Sequence, residues 1–306
     1  MDGLLLIDKP GGVTSHDVVA WARRALGQRD CGHAGTLDPM ATGLLVVLAG
    51  EATKLSEYVT GVDKTYVATV RFGIETDTLD LDGVVVRTRE ALPPSEGDVS
   101  RVLHSMLGET LQVPPSVSAI KQQGVAAYKR VRRGESFTLT GRPVVLRAAA
   151  LRRCAGTDVD VELTCSKGFY VRAFARDLAE QLGTVASLAA LRRTRAGEFS
   201  VSESLAGETL RRAGVSRDEK CIADVLRAMR SIADAARVLP GAAVSDEIAE
   251  SLWSGRVVST AEFPGIGSGP CFVTRARDGA CVCIGHVTDG LVRSARGFRR
   301  LVDAGA

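Results

Sequence analysis

From Lys64 to Gly73 apolar side chains recur at every second position, with Tyr66, Ala68, Val70 and Phe72 on one face and Val67, Thr69 and Arg71 on the other. A period of two belongs to an extended chain that buries one face, so this segment must find strand neighbours and a core. Val159, Val161, Leu163 and Cys165 repeat the pattern. Straight after Gly168 the period changes: Val171, Phe174, Ala175, Leu178 and Leu182 form a helical stripe closed by Gly183, with Arg172 beside the stripe and off it. Leu4 to Ile7 and Gly43 to Leu48 are short apolar runs of the buried-strand type. Between them Thr14 or Ser15 can cap a helix carrying Val18, Trp21, Ala22, Ala25 and Leu26, stopped by Gly27. Strands and helices that mix without strict alternation predict an α+β domain with a mixed, largely antiparallel sheet flanked by helices.

The spacing further predicts a helix over Asp218 to Val238, broken by Leu239-Pro240-Gly241. Beyond it the chain is rich in glycine, with short β-type runs at Cys271 to Thr274 and Ala280 to Val287. Two domains are expected, residues 1–237 and a small β-rich unit of residues 238–306, the second marginal for a large core of its own. Gly265, Gly267 and Gly269 lack the spacing and following helix of a dinucleotide loop and are expected at a hairpin tip.

At 45% apolar and 25% charged residues, the 306-residue composition excludes disordered, collagen-like and coiled-coil chains. No apolar run reaches the roughly 20 residues of a membrane span, and the opening residues do not form a signal peptide, so a cytoplasmic protein is expected. Seven cysteines without a C-x-x-C pair argue for reduced core residues rather than disulfides or structural zinc. Glu75, Asp77, Asp80 and Asp82 fail the calcium-loop spacing, because Thr78 takes the first ligand position.

Charge is unevenly placed. Between Lys121 and Arg153 nine basic side chains face one acid, Glu135, in a chain of net charge +3. Such an island suits a polyanion, with a solvated charged face as the plain alternative. The densest turn chemistry lies in Gly32 to Gly43, where three glycines and Pro39 hold His33 and Asp38 in a loop just ahead of a buried strand. Read alone, Asp38 is either a turn former or a presented carboxylate, Arg172 a surface helix arginine, and Tyr66 a packed strand aromatic.

Several strings occur in a telling order: Leu5 to Pro10 (LLIDKP), Gly32 to Gly43 (GHAGTLDPMATG), Lys64-Thr65-Tyr66, Thr76-Asp77-Thr78 with Asp80, Val113-Pro114-Pro115, Ser118-Ala119 with Lys121, Cys165 to Arg172 (CSKGFYVR) and Leu191-Arg192-Arg193. Over residues 3–200 this resembles the TruB family of tRNA pseudouridine synthases. The resemblance implies isomerisation of uridine to pseudouridine at position 55 in the tRNA T-loop, with no cofactor and no metal. It makes Asp38 the nucleophile, suited because a carboxylate can form and release an ester-like adduct. Arg172 pairs with it, and Tyr66 stacks on the uracil and takes part in proton removal. It assigns His33, Tyr170 and Leu191 to the flipped nucleotide and its pocket. Lys9, Lys121, Lys129, Arg130, Arg132 and Arg133 become RNA contacts, the last five within a clamping thumb of about residues 121–147, with support of the fold as the alternative for Lys9.

The same resemblance implies that residues 238–306 form a PUA-like RNA-binding module, that tRNA is the partner, and that the protein works as a monomer without a protein partner. Two departures stand out: Val117 replaces a family tyrosine before Ser-Ala, and the run 148–150 is all alanine. The competing function is a tRNA-binding or folding chaperone without catalysis. A guide-RNA-dependent synthase is disfavoured by the lack of a lysine-rich tail.

Overall fold

The computed structural model of the chain describes residues 1–90, 94–116, 121–122, 125–126 and 139–299. Among these the strands are β1 (Gly3–Lys9), β2 (Cys31–Ala34), β3 (Thr42–Ala49), β4 (Lys64–Phe72), β5 (Ile74–Thr76), β6 (Val85–Thr88) and β7 (Gly108–Gln112). After the short pair β8 (Lys121–Gln122) and β9 (Val125–Ala126) come β10 (Arg142–Ala155), β11 (Asp158–Cys165), β12 (Ala186–Ala196), β13 (Phe199–Ser200) and β14 (Leu205–Ala206). Ten of them form one sheet in the order β14-β1-β3-β12-β4-β11-β10-β7, with β2 on β3 and β13 on β12. Only β1 with β14 and β12 with β3 run parallel, so the sheet is mixed and largely antiparallel as expected.

Helix α1 (Ser15–Leu26) starts at Thr14, whose hydroxyl accepts from the Asp17 N–H while the Asp17 carboxylate accepts from the Thr14 N–H. It ends at Gly27 with φ 64°, a left-handed position suited to glycine. Its stripe Val18, Val19, Trp21 and Ala22 packs on the sheet together with Phe174, Ala175 and Leu178 of α4 (Val171–Gln181). α2 (Ser56–Gly61) and α3 (Glu96–Ser105) complete the first half of the chain. Burying one aromatic such as Phe174 contributes about 2 to 3 kcal/mol, which anchors α4 where its first turn meets the sheet.

Three expectations are corrected. The helix over 218–238 is two helices, Glu219–Ala228 and Ile232–Ala236, because Arg230 leaves the helix to exchange two backbone hydrogen bonds with Leu4 of β1 (3.0 and 2.9 Å). Residues 142–147, given to the thumb, begin the 14-residue strand β10, whose residues 142–146 pair with β7, so they lie in the main sheet. Gly265 and Gly267 lie in the loop before β17 (Gly269–Arg275), and the hairpin turn falls instead at Asp278-Gly279, where Gly279 has φ 71°.

β15 (Gly241–Val244), β16 (Val258–Ser259), β17, β18 (Cys281–Thr288) and β19 (Leu291–Gly297) form a second sheet in the order β15-β17-β18-β19-β16. Its own core holds Leu252, Phe263, Val273, Val282 and Val292. Phe272, Ile284 and Phe298 instead join Leu4, Leu6, Leu44 and Val46 of β1 and β3 in a shared cluster, which supplements a core too small for 60-odd residues.

Candidate active site

The loop bearing Asp38 runs from β2 to β3 and is fastened at several points. Buried Ser15, the first residue of α1, donates its hydroxyl to the Leu37 carbonyl (3.1 Å) and accepts from the Leu37 N–H (2.9 Å). The Gly12 N–H donates to the Pro39 carbonyl (2.9 Å). Lys9 is completely buried, and its Nζ donates to the carbonyls of Val13 (2.7 Å), Pro10 (3.0 Å) and Pro39 (3.2 Å). That geometry corrects the RNA-contact assignment of Lys9: a side chain with no exposed surface ties two loops together beneath the site. Burial lowers its pKa to about 8, with the nearby Asp38 charge acting in the opposite sense.

Arg172 is 6% exposed, so the surface-arginine reading fails. Its Nε lies 3.0 Å from Oδ2 of Asp38 and its Nη2 donates to Oδ1 at 3.2 Å. These two contacts hold the carboxylate in one orientation. The remaining guanidinium nitrogen, Nη1, donates to the Thr78 carbonyl (2.9 Å) and lies 3.5 Å from Oδ2 of Asp80. Burial raises the Asp80 pKa, while a hydrogen bond from the Thr78 hydroxyl (2.7 Å) and the Arg172 charge pull it down. Arg172 is thus held between two carboxylates of the cleft wall, the half-exposed Asp38 and the nearly buried Asp80.

Tyr66 on β4 lies opposite Arg193 on β12 and Leu163 on β11. Burial pushes the Tyr66 phenol up, and the Arg193 charge and hydrogen bond counter this. Arg193 is itself buried, donating from Nε to the Leu44 carbonyl (2.6 Å) and from Nη2 to the Gly35 carbonyl (3.0 Å). β12 can lie this close to β3 because residue 43 is glycine, with φ 97°; a Cβ there would come within 2.2 Å of the Arg193 carbonyl oxygen. Lys64 donates to the Thr60 and Val62 carbonyls (2.5 and 2.6 Å), and burial lowers its pKa to about 8.

Asp38, Tyr66, Asp80, Tyr170, Arg172 and Leu191 share the wall of one cleft of about 840 Å³, within the range that accommodates a nucleotide. His33 is not on that wall. It sits on β2 opposite Val47, with Nδ1 buried and without a hydrogen-bond partner among the described residues, and burial lowers its pKa. Lys129, Arg130, Arg132, Arg133 and Val117 lie outside the described residues, and of Lys121 only its place in β8 is described.

Sequence reasoning assigned no role to Asp80, Lys64 or Arg193. Lys64 carried a signal, being a lysine in phase with the apolar face of β4. Asp80 stands in one of the strings that carry the resemblance, but its partner Arg172 is far away in the chain and nothing local names it.

Comparison with known proteins decides the family. Residues 23–171 match the model described as TruB family pseudouridylate synthase (N terminal domain), and residues 172–233 match the tRNA pseudouridylate synthase B C-terminal domain. The chain is 48% identical over 216 residues to the tRNA pseudouridine synthase B of Arthrobacter sp. (strain FB24), covering 69% of this chain and 71% of that protein. The chain belongs to the TruB family.

A second relative from this family, the tRNA pseudouridine synthase B of Opitutus terrae, is 42% identical over 76% of this chain and 96% of its own length. That of Nocardia farcinica is 43% identical over 87% of this chain and 85% of its own. Among solved structures, a chain in the crystal structure of the archaeal box H/ACA sRNP Nop10-Cbf5 complex superimposes with a TM-score of 0.73 at 21% identity, covering 97% of this TruB-family chain and 86% of that one. A chain in the structure of an H/ACA RNP bound to a substrate RNA containing 2'-deoxyuridine gives 0.72 at 20% identity, over 97% and 85%. At such identities these likenesses speak for the fold, and the TruB assignment rests on the family models and the curated relatives.

Proposed function

We propose that this TruB-family protein isomerises uridine to pseudouridine in tRNA, at position 55 of the T-loop, with Asp38 as the nucleophile. The observation that carries the reading is the two-point grip of Arg172 on Asp38 inside the nucleotide-sized cleft. The reaction breaks the bond from ribose C1′ to N1, turns the uracil, joins C1′ to C5, and transfers one proton from C5 to N1. No atoms enter or leave, so the protein must supply a nucleophile, a pocket and a proton path. Asp38 adds to the substrate and leaves again, dividing one high barrier into two. Tyr66 stacks on the turned base and takes part in carrying the C5 proton to N1, with the Arg193 charge and hydrogen bond facing its phenol oxygen.

Tyr170 and Leu191 form the walls against which the extruded base rests, returning part of the unstacking cost of a few kcal/mol. His33 reads as a contact to neighbouring flipped nucleotides at the edge of this site. The basic segment of residues 121–133 supplies phosphate contacts, and residues 238–306 act as a PUA-like RNA-binding module. Among the described residues no helix is long and apolar enough to cross a membrane. A tRNA substrate places the work of the enzyme in the cytoplasm, where it acts as a monomer.

The test is Asp38→Asn, assayed for pseudouridine in a tRNA transcript and for tRNA binding. Lost isomerisation with retained binding is expected. Retained isomerisation removes Asp38 as the nucleophile, whereas a wild-type chain that binds tRNA yet forms no pseudouridine would make it a binding protein.

A further inference from the structure

We infer that Gln112 is a positioning residue for the reaction: its side-chain amide fixes the Tyr170 backbone and thereby the start of the helix that carries Arg172. Gln112 is the last residue of β7, opposite Arg142 of β10, and is 4% exposed. Its Oε1 accepts from the Tyr170 N–H at 2.8 Å and its Nε2 donates to the Tyr170 carbonyl at 3.1 Å. One buried amide thus clasps both backbone groups of a single residue, and the pairing defines which end of the amide faces which group.

Tyr170 is where the chain turns from extended (φ −105°, ψ 110°) to helical, and its side chain makes no cap bond to the helix. Its carbonyl also accepts the first helical hydrogen bond, from the Phe174 N–H (3.0 Å). Fixing that peptide sets where the helix begins, and Arg172 is two residues on. A second tie runs parallel, from Arg176 Nη2 to the Val113 carbonyl (3.1 Å), and Pro114 and Pro115 are buried next in line. The strap of residues 112–115 therefore lies along the first half of α4. An apolar residue at 112 would fill the space but remove the acceptor of the Tyr170 N–H and one of the two donors to its carbonyl. The clasp acts on the wall and on the guanidinium together, and displacements near 1 Å at such positions cost rate rather than affinity.

This inference rests on Tyr170 and Arg172 belonging to the site. The experiment compares Gln112→Leu and Gln112→Glu with the wild type in full-length protein. For Gln112→Leu the single-turnover rate of pseudouridine formation should fall by about 10 to 100-fold, tRNA affinity should stay within about twofold, and the Tyr170 amide should exchange faster. Gln112→Glu should regain rate relative to wild type as pH falls, because a neutral carboxyl restores both an acceptor and a donor. A folded Gln112→Leu protein with wild-type rate, rate and affinity falling together, or a Gln112→Glu profile parallel to wild type would each overturn the assignment. If Gln112→Leu fails to fold, the Gln112→Glu profile decides. Asp38→Asn, assayed alongside, isolates the site reading: retained isomerisation there would remove the site yet leave the Tyr170 exchange result intact.

Discussion

Arg172 and Asp38 meet through two nitrogens and two oxygens, at 3.0 and 3.2 Å, although 134 positions separate them in the chain. A planar fork of this kind cannot be reproduced by an ammonium group. Arg172→Lys should therefore lower the single-turnover rate by about 100-fold or more while tRNA affinity changes little. Rapid-quench assays with excess enzyme measure this directly, and a rate within about threefold of wild type would show that orientation of Asp38 by the fork is unimportant.

Asp80 faces the far side of the same guanidinium, 3.5 Å from Nη1. Replacing it with asparagine keeps the volume and removes the second charge on the guanidinium, so Arg172 gains freedom to shift toward Asp38. We expect a loss of about tenfold in the chemical step with tRNA affinity retained. Equal losses in affinity and rate would instead mark Asp80 as part of the RNA surface.

The Lys9 ammonium, pKa about 8 when folded against 10.5 for the free side chain, has a definite pH signature. Between these values the unfolded chain holds the extra proton, so the contribution of Lys9 to stability rises with pH across that window and is constant below it. Denaturant midpoints of wild type and Lys9→Met should thus keep a fixed separation below about pH 8 and diverge in favour of wild type above it. A separation independent of pH up to 10 would contradict the burial of this charge. Because Lys9→Met also takes the Nζ donor from the Pro39 carbonyl, its rate should fall at every pH.

Arg130, Arg132 and Arg133 sit in the densest part of the basic island. If they neutralise phosphates, changing all three to alanine should weaken tRNA binding and reduce the slope of log K against log salt by about 3. An unchanged slope, measured by filter binding from low to moderate salt, would leave the island a solvated face.

Much of this architecture is legible in the residues. The period-two runs became β4 and β11, adjacent in the sheet, and the stripe after Gly168 became α4. The caps Thr14 and Gly27 fall where side-chain chemistry puts them. What local pattern cannot carry is the identity of partners distant in the chain. Arg172, off the apolar stripe, reads as exposed until the segment Thr78–Asp80 closes over it. Lys9 reads as an RNA contact until three carbonyls are found around it, and the break at Arg230 exists because β1 offers Leu4 as a better partner than the next helical turn. Gln112 looks like an ordinary strand-end glutamine, and its use depends on a helix start 58 positions away.

Phe272, Ile284 and Phe298 share one buried cluster with Leu4, Leu6, Leu44 and Val46 of β1 and β3. A chain ending after Val238 would therefore take three large apolar side chains out of the cluster that holds Leu4, Leu6, Leu44 and Val46, on strands that also carry Lys9 and frame the Asp38 loop. Shortened versions of this protein would then lose activity through a slackened scaffold as readily as through missing RNA grip, and a denaturation midpoint measured beside tRNA affinity separates the two losses.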